Sequence, residues 1–385
     1  MAKGKSNHVD IEAGSTRKAD RDELAQLIVD TANRSQKDGS RVAYFLDEQE
    51  DPSMVSDWIS TGSSMLDLAI SNRKNGGLPV GRIAELNGLE GTGKSLLAAH
   101  IIADTQRKGG VGVMIDTENA AAPAFWTAVG CDLRNLPYFQ LVTVEEIFNK
   151  MEELIGIVRK SSKDRLCTII VDSLAQASTA SEMESEHGAK GYNTQKAIII
   201  SMACRKILGL IGKQRILPVF TNQLRMNMAT FGHGDKWVVP GGKAMGFAAS
   251  VRVRLTTTAT LKNSKKEVIG NSCKAIVTKN RMGPPKRVAE FDIHYDSGIQ
   301  DLSSWLTFMK EKGMVSGTTA KYKLKLESGE ETFSTSEFVE RVNADAEFKD
   351  RVYSAICDRQ IMAYRDPNSK IVDDVVSDDS VEDED

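Results

Sequence analysis

The run GLEGTGKS, Gly88 to Ser95, has the spacing G-x-x-x-x-G-K-S, and residues of these types at this spacing suit one chemistry, the holding of a polyphosphate. Glycines let consecutive backbone N–H groups turn toward phosphate oxygens, and a following helix adds the field of its N-terminus. Lys94 reaches the terminal phosphates, and the Ser95 hydroxyl can ligate magnesium. Gly88, Leu89, Glu90, Gly91, Thr92, Gly93, Lys94 and Ser95 are thus the expected nucleotide cradle. The flanks agree with it: GRIAEL reads as a buried strand, and LLAAHIIADTQRK repeats its apolar residues at helical period. An ordinary glycine turn is the alternative, and a phosphate cradle alone names no reaction.

Phosphate hydrolysis also needs a metal, an oriented water and a group that answers the charge developing on the transferred phosphoryl. Three apolar runs end in residues fit for these tasks. CTIIVDS ends in Asp172, placed to help hold magnesium through water, with Ser173 beside it to orient its neighbours. VGVMIDTENA ends in Asp116 and Glu118, two residues apart and so on one face of an extended chain, where Glu118 can polarise an attacking water. A solvated loop acid is the plain alternative. LPVFTNQ delivers Asn222 and Gln223 to the same carboxyl edge, where open α/β sheets bind ligands.

The elements that must position these groups are read from pattern and composition. The 385 residues are 41% hydrophobic and 27% charged, ordinary for a globular chain, and hold no apolar run of membrane-spanning length. MAKGKSNHVD lacks the apolar stretch of a secretory signal, so the expected location is the cytoplasm. Five widely spaced cysteines without a C-x-x-C pair argue for buried thiols rather than disulfides or zinc. Between residues 51 and 299 short β-rich runs alternate with helical stretches, which predicts an α/β core with a mostly parallel sheet. SVRVRLTTT and CKAIVTKN predict an antiparallel extension of it. Residues 1–50 read as an N-terminal arm with a helix and a short strand, RVAYFL. Residues 300–370 read as a small α+β domain with a helix, a hairpin in AKYKLKLESGEETF and two further helices. The last fifteen residues, 371–385, carry eight acids and no base, so the remaining body has 50 bases against 45 acids, a net charge of +5. Such a tail is expected to be disordered, either a solubiliser or a competitor of polyanions for a basic surface.

In this order the motifs resemble those of the bacterial RecA recombinase family and its phage relatives such as UvsX. The resemblance is carried by WISTGSSMLDLAISNRKNGGLPVGRIAELNGLEGTGKS, MIDTENA, IIVDS, FTNQLRM, GGKAMGFAASVRVRL and IVTKNRMGPPKRVAEFDIHYDSGI. It implies a RecA-like P-loop ATPase core with ATP and Mg2+ as ligands. Glu118 then matches the catalytic glutamate, Gln223 the glutamine that senses the terminal phosphate, and Asp172 the magnesium-site acid. Phe125 matches an aromatic residue that stacks on adenine, where the residues alone would give a helix-core phenylalanine. Lys279 and Arg281 match a basic pair that reaches the nucleotide of the neighbouring subunit, where pattern alone would give a basic surface hairpin.

The same resemblance makes ASEMESEHGAKGYNTQ and LRMNMATFGHGDKWVVPGG two DNA loops. Ser201, Arg205, Arg225, Lys243 and the backbone at Gly241 and Gly242 become candidate DNA contacts, and Met226, Met228 or Phe231 candidate wedges between bases. Three positions depart from the family: Ala122 replaces an acid that contacts adenine, Gly246 replaces a basic residue while Phe247 is kept, and Ile198 stands where a DNA-contacting arginine is common. The implied function is ATP-dependent strand exchange by a homo-oligomeric helical filament on single-stranded DNA, with homologous duplex as second partner and single-strand-binding and loader proteins as further ones. The alternatives are a ring-forming RecA-fold helicase and a non-catalytic paralogue that loads other recombinases.

Overall fold

Runs such as VGVMID and CTIIVD have no polar alternation, and strands apolar on both faces belong inside a sheet covered by helices on both sides. The computed structural model, which describes residues 21–37, 40–46, 48, 54–119, 121–161, 164–184, 192–212, 214–226, 237–239, 243–326 and 329–364, has that arrangement. Six strands run parallel: β1 (Ala84–Gly88), β2 (Val111–Asp116), β3 (Tyr138–Gln140), β4 (Cys167–Asp172), β5 (Ile216–Gln223) and β6 (Val251–Lys262). The antiparallel strands β7 (Val268–Asn280), β8 (Val288–His294) and β9 (Gly298–Ile299) extend the sheet at one side, giving the order β9-β8-β7-β6-β1-β5-β4-β2-β3.

The pleat sends alternate side chains into two cores. Met114, Ile170 and Val219 join the cluster that holds Leu97, Ile101 and Ile102 of α3 (Lys94–Arg107). Val113, Ile115, Ile169, Val171 and Phe220 join the cluster that holds Phe148 and Met151 of α5 (Val144–Ser161) and Ile200, Cys204 and Ile207 of α6 (Tyr192–Ile211). All five cysteines are buried free thiols inside these layers or beneath them.

Parallel register fixes what shares an edge. Gly88 lies opposite Gln223, and Asp116 opposite Asp172. The glycine loop and the three polar strand ends therefore emerge together at the carboxyl edge of the sheet.

The chain divides at Met54 and Val55 into two units. In the first, α1 (Glu23–Arg34) is capped by the Asp22 carboxylate, which accepts from the Ala25 amide at 3.0 Å. RVAYFL, expected as a strand, is not one. With no strand beside it among the described residues, its backbone is held by the Asn33 side chain: Oδ1 accepts from the amides of Val42 and Ala43, both at 2.9 Å, and Nδ2 donates to the Ala43 carbonyl at 2.9 Å.

The segment after Ile299 packs inside the second unit. It has α8 (Asp301–Glu311), three antiparallel strands β10 (Val315–Thr318), β11 (Lys321–Leu326) and β12 (Gly329–Phe333), and helices α9 (Thr335–Ala344) and α10 (Ala346–Gln360). Val315–Thr318 was not expected as a strand; it pairs with the hairpin because its start is buried there beside Leu324. Helix α2 (Ser64–Ser71) joins this segment to the core, with Leu66, Leu68 and Ile70 fully buried. Such side chains contribute roughly 1.5–3 kcal/mol each. Asp301 accepts from the Ser64 amide at 2.6 Å and from its hydroxyl at 2.5 Å. One turn on, Asp67 accepts from the Thr61 amide and hydroxyl, both at 2.8 Å, and from the Ser60 hydroxyl at 2.5 Å.

Burial pushes the Asp67 carboxyl up to about 7 from 3.8 and raises Asp301 as well, against the opposing pull of these hydrogen bonds. An acid whose folded pKa is raised favours folding below the unfolded value and loses that contribution as pH rises through the folded one. Asp67→Asn keeps the shape and does not titrate. Its stability relative to wild type should rise between pH 5 and 7.5, with a slope of up to about 1.4 kcal/mol per pH unit. Thermal unfolding across that range gives the slope; a flat difference would mean Asp67 is ionised when folded.

Candidate nucleotide-binding site

The glycine loop has the stereochemistry that the spacing predicts. Gly91 has φ +73° and Gly93 φ +92°, a region that side chains rarely adopt. A Cβ on Gly88 would lie 2.6 Å from the Leu255 carbonyl oxygen and from the Thr92 hydroxyl, so the strand can enter the loop only as glycine. Gly93 is the N-cap of α3 and supplies no capping side chain, which leaves the first-turn N–H groups to an outside acceptor. Lys94 lies in the loop mouth, its ammonium 2.7 Å from the Leu89 carbonyl and 3.2 Å from that of Gly88. Burial lowers its pKa, while Asp172, Glu118 and Glu90 pull the other way. Uncapped amides, glycines at positive φ and a buried cation form a donor set that fits a polyphosphate. Ser95 is exposed on the first turn of α3, and Asp172, 8% exposed, accepts from the Thr221 hydroxyl. Among the described residues no group of three or more acids, histidines or cysteines could hold a metal by itself. Ser95 and Asp172 are the side chains at the loop whose oxygens suit a magnesium ion shared with phosphate.

Glu118 is where three segments meet. Its Oε1 accepts from the Ser173 hydroxyl at 2.5 Å and from Gln223 Nε2 at 3.1 Å. Ser173 is locked in turn, since its amide donates to Thr117 Oγ1 at 3.0 Å and its carbonyl accepts from that hydroxyl at 2.8 Å. Period-two alternation places Asp116 and Glu118 on one face, but the two carboxylates make different contacts. Asp116, 2% exposed, turns back to accept from the amides of Glu118 and Asn119, both at 2.8 Å, and from the Tyr138 hydroxyl at 2.9 Å. It shapes the loop that presents Glu118. Thr117, Tyr138 and Thr221 were missed in the sequence, because hydroxyls near strand ends are common and only the fold aims them.

Phe125, on α4 (Pro123–Ala128), is half-buried and packs against the core cluster, and Ala122 is the exposed N-cap of that helix without a capping side chain. Lys279 and Arg281 are elsewhere. Lys279 lies opposite Arg252, and Arg252 opposite Glu85 at the start of β1, whereas the glycine loop begins at the far end of β1. The basic pair thus occupies the other edge of the sheet, about 10–13 Å away along the strand direction alone. There the Lys279 ammonium donates to the carbonyls of Gly246 at 2.7 Å and Phe247 at 3.0 Å, while Arg281 is exposed. Burial, with Arg281 and Arg252 nearby, lowers the Lys279 pKa. Phe247 is 72% exposed on α7 (Lys243–Ala248).

Ser201 and Arg205 lie one turn apart on α6, with Arg205 exposed and Ser201 half-buried; Ile198 is 55% exposed on the same helix. Arg225 is exposed just beyond Gln223, in a two-residue strand paired with Trp237–Val238. Met226 shares that strand and Lys243 begins α7. Met228, Phe231, Gly241 and Gly242 lie outside the described residues, as does the acidic tail.

A strand, glycine loop and helix, with acids and amides delivered by the neighbouring parallel strands, define a P-loop nucleotide-binding protein. Residues 29–300 match the family model described as RecA N-terminal domain. Protein RecA of Synechococcus sp. strain WH7803 is 36% identical over 309 residues, 80% of this chain and 76% of that protein. Protein RecA of Trichodesmium erythraeum is 38% identical over 264 residues, 69% of this chain and 70% of that one. The chain belongs to the RecA family of recombination and repair proteins. No helix among the described residues is long and apolar enough to cross a membrane.

Glu118→Gln keeps an oxygen for Ser173 and Gln223 but removes the carboxylate charge. Hydrolysis should fall by about 10²-fold or more while nucleotide affinity stays within a few-fold. Steady-state turnover beside equilibrium binding of a fluorescent ATP analogue checks this; undiminished turnover would take Glu118 out of catalysis.

Proposed function

We propose that this chain is a DNA-dependent ATPase that assembles with ATP on single-stranded DNA into a helical filament, pairs it with homologous duplex and exchanges strands. One observation carries the reading: the phosphate cradle and the Lys279–Arg281 pair occupy opposite edges of one sheet. Each copy then presents a phosphate site at one edge and, at the other, a basic pair that cannot reach that site. Repeating such a heterologous contact builds a ring or a helix. Cations delivered across it answer the charge spread over a transferring phosphoryl group.

ATP with its magnesium supplies the scissile phosphoanhydride. Lys94 and the loop amides hold the phosphates. Ser95 and, through water, Asp172 hold the metal, and Ser173 holds Glu118 for the attacking water. Phe125 offers its ring to the base, and Ala122 gives it no acidic partner, which argues for loose discrimination among bases. Gln223, donating to Glu118, is the residue that reads the terminal phosphate; just beyond it lies Arg225, which is exposed and is the proposed DNA contact nearest the site. The proposed DNA contacts are Arg225, Met226 and Lys243 with Ser201 and Arg205 of α6; Met228, Gly241 and Gly242, candidates by resemblance, lie outside the described residues. Arginine and lysine there contact phosphates, and methionine packs on bases.

The test mixes Arg281→Ala with Lys94→Ala subunits on single-stranded DNA. Each variant alone should be nearly inactive, since a cation of this kind is worth about 10³-fold in rate or more. The mixture should regain hydrolysis where an intact glycine loop meets an intact basic pair. Activity equal to the sum of the separate variants, in assemblies shown to contain both, refutes the shared site. Imaging of wild type with single-stranded DNA and a non-hydrolysable analogue should give helical filaments; closed rings would make it a motor.

A further inference from the structure

Lys196 is buried on α6, 6% exposed, and has no part in the site described so far. Its ammonium donates to the Ala175 carbonyl at 3.0 Å and to the Ala177 carbonyl at 2.5 Å, and among the described residues its hydrogen bonds go to these two oxygens. Burial lowers its pKa, Arg225 adds to that effect and Glu182 opposes it. An ammonium buried on carbonyls rather than on a carboxylate is a costly arrangement for a protein to keep.

What it holds is the exit from the nucleotide strand. Ala175 and Ala177 follow Ser173, whose hydroxyl donates to Glu118. Three other carbonyls of this segment have backbone or side-chain donors from neighbouring elements: Asp172 from the Thr117 amide, Ser173 from the Thr117 hydroxyl and Ser178 from the Val144 amide, each at 2.8 Å. Ala175 and Ala177 are themselves buried, so without Lys196 their carbonyls lose their donor. Beside Lys196 on the helix, Gln195 accepts from the Ser181 hydroxyl at 2.9 Å, a second tie to the same stretch of chain. The helix that carries both also carries Ser201 and Arg205. A shift of α6 therefore moves the anchor of the segment that ends in the Glu118–Ser173 contact.

We propose that Lys196 is a positioning residue that couples DNA on α6 to the hydrolytic group Glu118. The inference rests on the reading of α6 as a DNA-facing helix. Lys196→Met keeps most of the stem and removes the donor; Lys196→Arg keeps the donor charge. In Lys196→Met, DNA-free hydrolysis and affinity for a fluorescent ATP analogue should stay within about twofold of wild type, while stimulation by single-stranded DNA falls at least tenfold. Lys196→Arg should recover part of the stimulation. A merely structural role would lower the unfolding temperature and depress both hydrolysis rates by one factor, with stimulation intact; that result, or full stimulation in Lys196→Met, overturns the proposal. Hydrogen exchange on wild type gives a measurement that needs no variant. Single-stranded DNA should protect the amides of Leu174 and Ser178, and unchanged exchange there overturns the coupling even if Lys196→Met does not fold. A wild type whose hydrolysis ignores DNA would remove the reading on which the inference rests, whereas normal stimulation in both wild type and Lys196→Met removes the inference alone.

Discussion

One carboxylate oxygen, Oε1 of Glu118, accepts hydrogen bonds from the exits of two strands, Ser173 beyond β4 and Gln223 at the end of β5. Everything around it serves to bring those donors to one point. Parallel register puts Gly88 beside Gln223 and Asp116 beside Asp172. Asp116 folds the Glu118 loop back over its own strand end, and Thr117 clasps Ser173. Moving any of these strands by one residue would turn the side chains to opposite faces and separate the donors from the acceptor. The two apolar layers that lock the sheet are therefore also what keeps the site assembled.

The sheet has two ends, and their chemistry differs. The carboxyl edge gathers the glycine loop, the acids and Gln223. The other edge gathers Glu85, fully buried and paired with Arg252 at 2.5 Å, and Lys279 resting on the carbonyls of Gly246 and Phe247. Covalent continuity makes both edges parts of every copy, yet no copy can fold one edge onto the other. Association between copies is thus the natural way for the basic pair to meet a phosphate, and this ties the nucleotide to assembly in the proposed function.

Much of this was legible in the sequence for definite reasons. The glycine spacing could be read because its residue types are demanded by stereochemistry, and the buried strands because an unbroken apolar run has few other fates. The separate roles of Asp116 and Glu118 were not legible. Period-two alternation places both on one face, but the chain leaves the strand between them, and a turn is decided by hydrogen bonds such as that from Tyr138, twenty-two residues away. RVAYFL failed as a strand because propensity cannot supply a pairing partner, and a single asparagine amide took that place. Lys196 was invisible among fifty cations, since nothing local marks a buried lysine; only the arrival of α6 over the exit of β4 does.

The central claim is that contact between Glu118 and Gln223 lets the nucleotide site govern the DNA surface. The ratio of single-stranded DNA affinities with a non-hydrolysable ATP analogue and with ADP, measured by fluorescence anisotropy for wild type and Gln223→Ala, tests it most directly. Wild type should show a ratio of about tenfold or more, a coupling of at least ~1.4 kcal/mol, collapsing toward one in Gln223→Ala while affinity for the analogue alone changes little. A ratio that survives the substitution would contradict it.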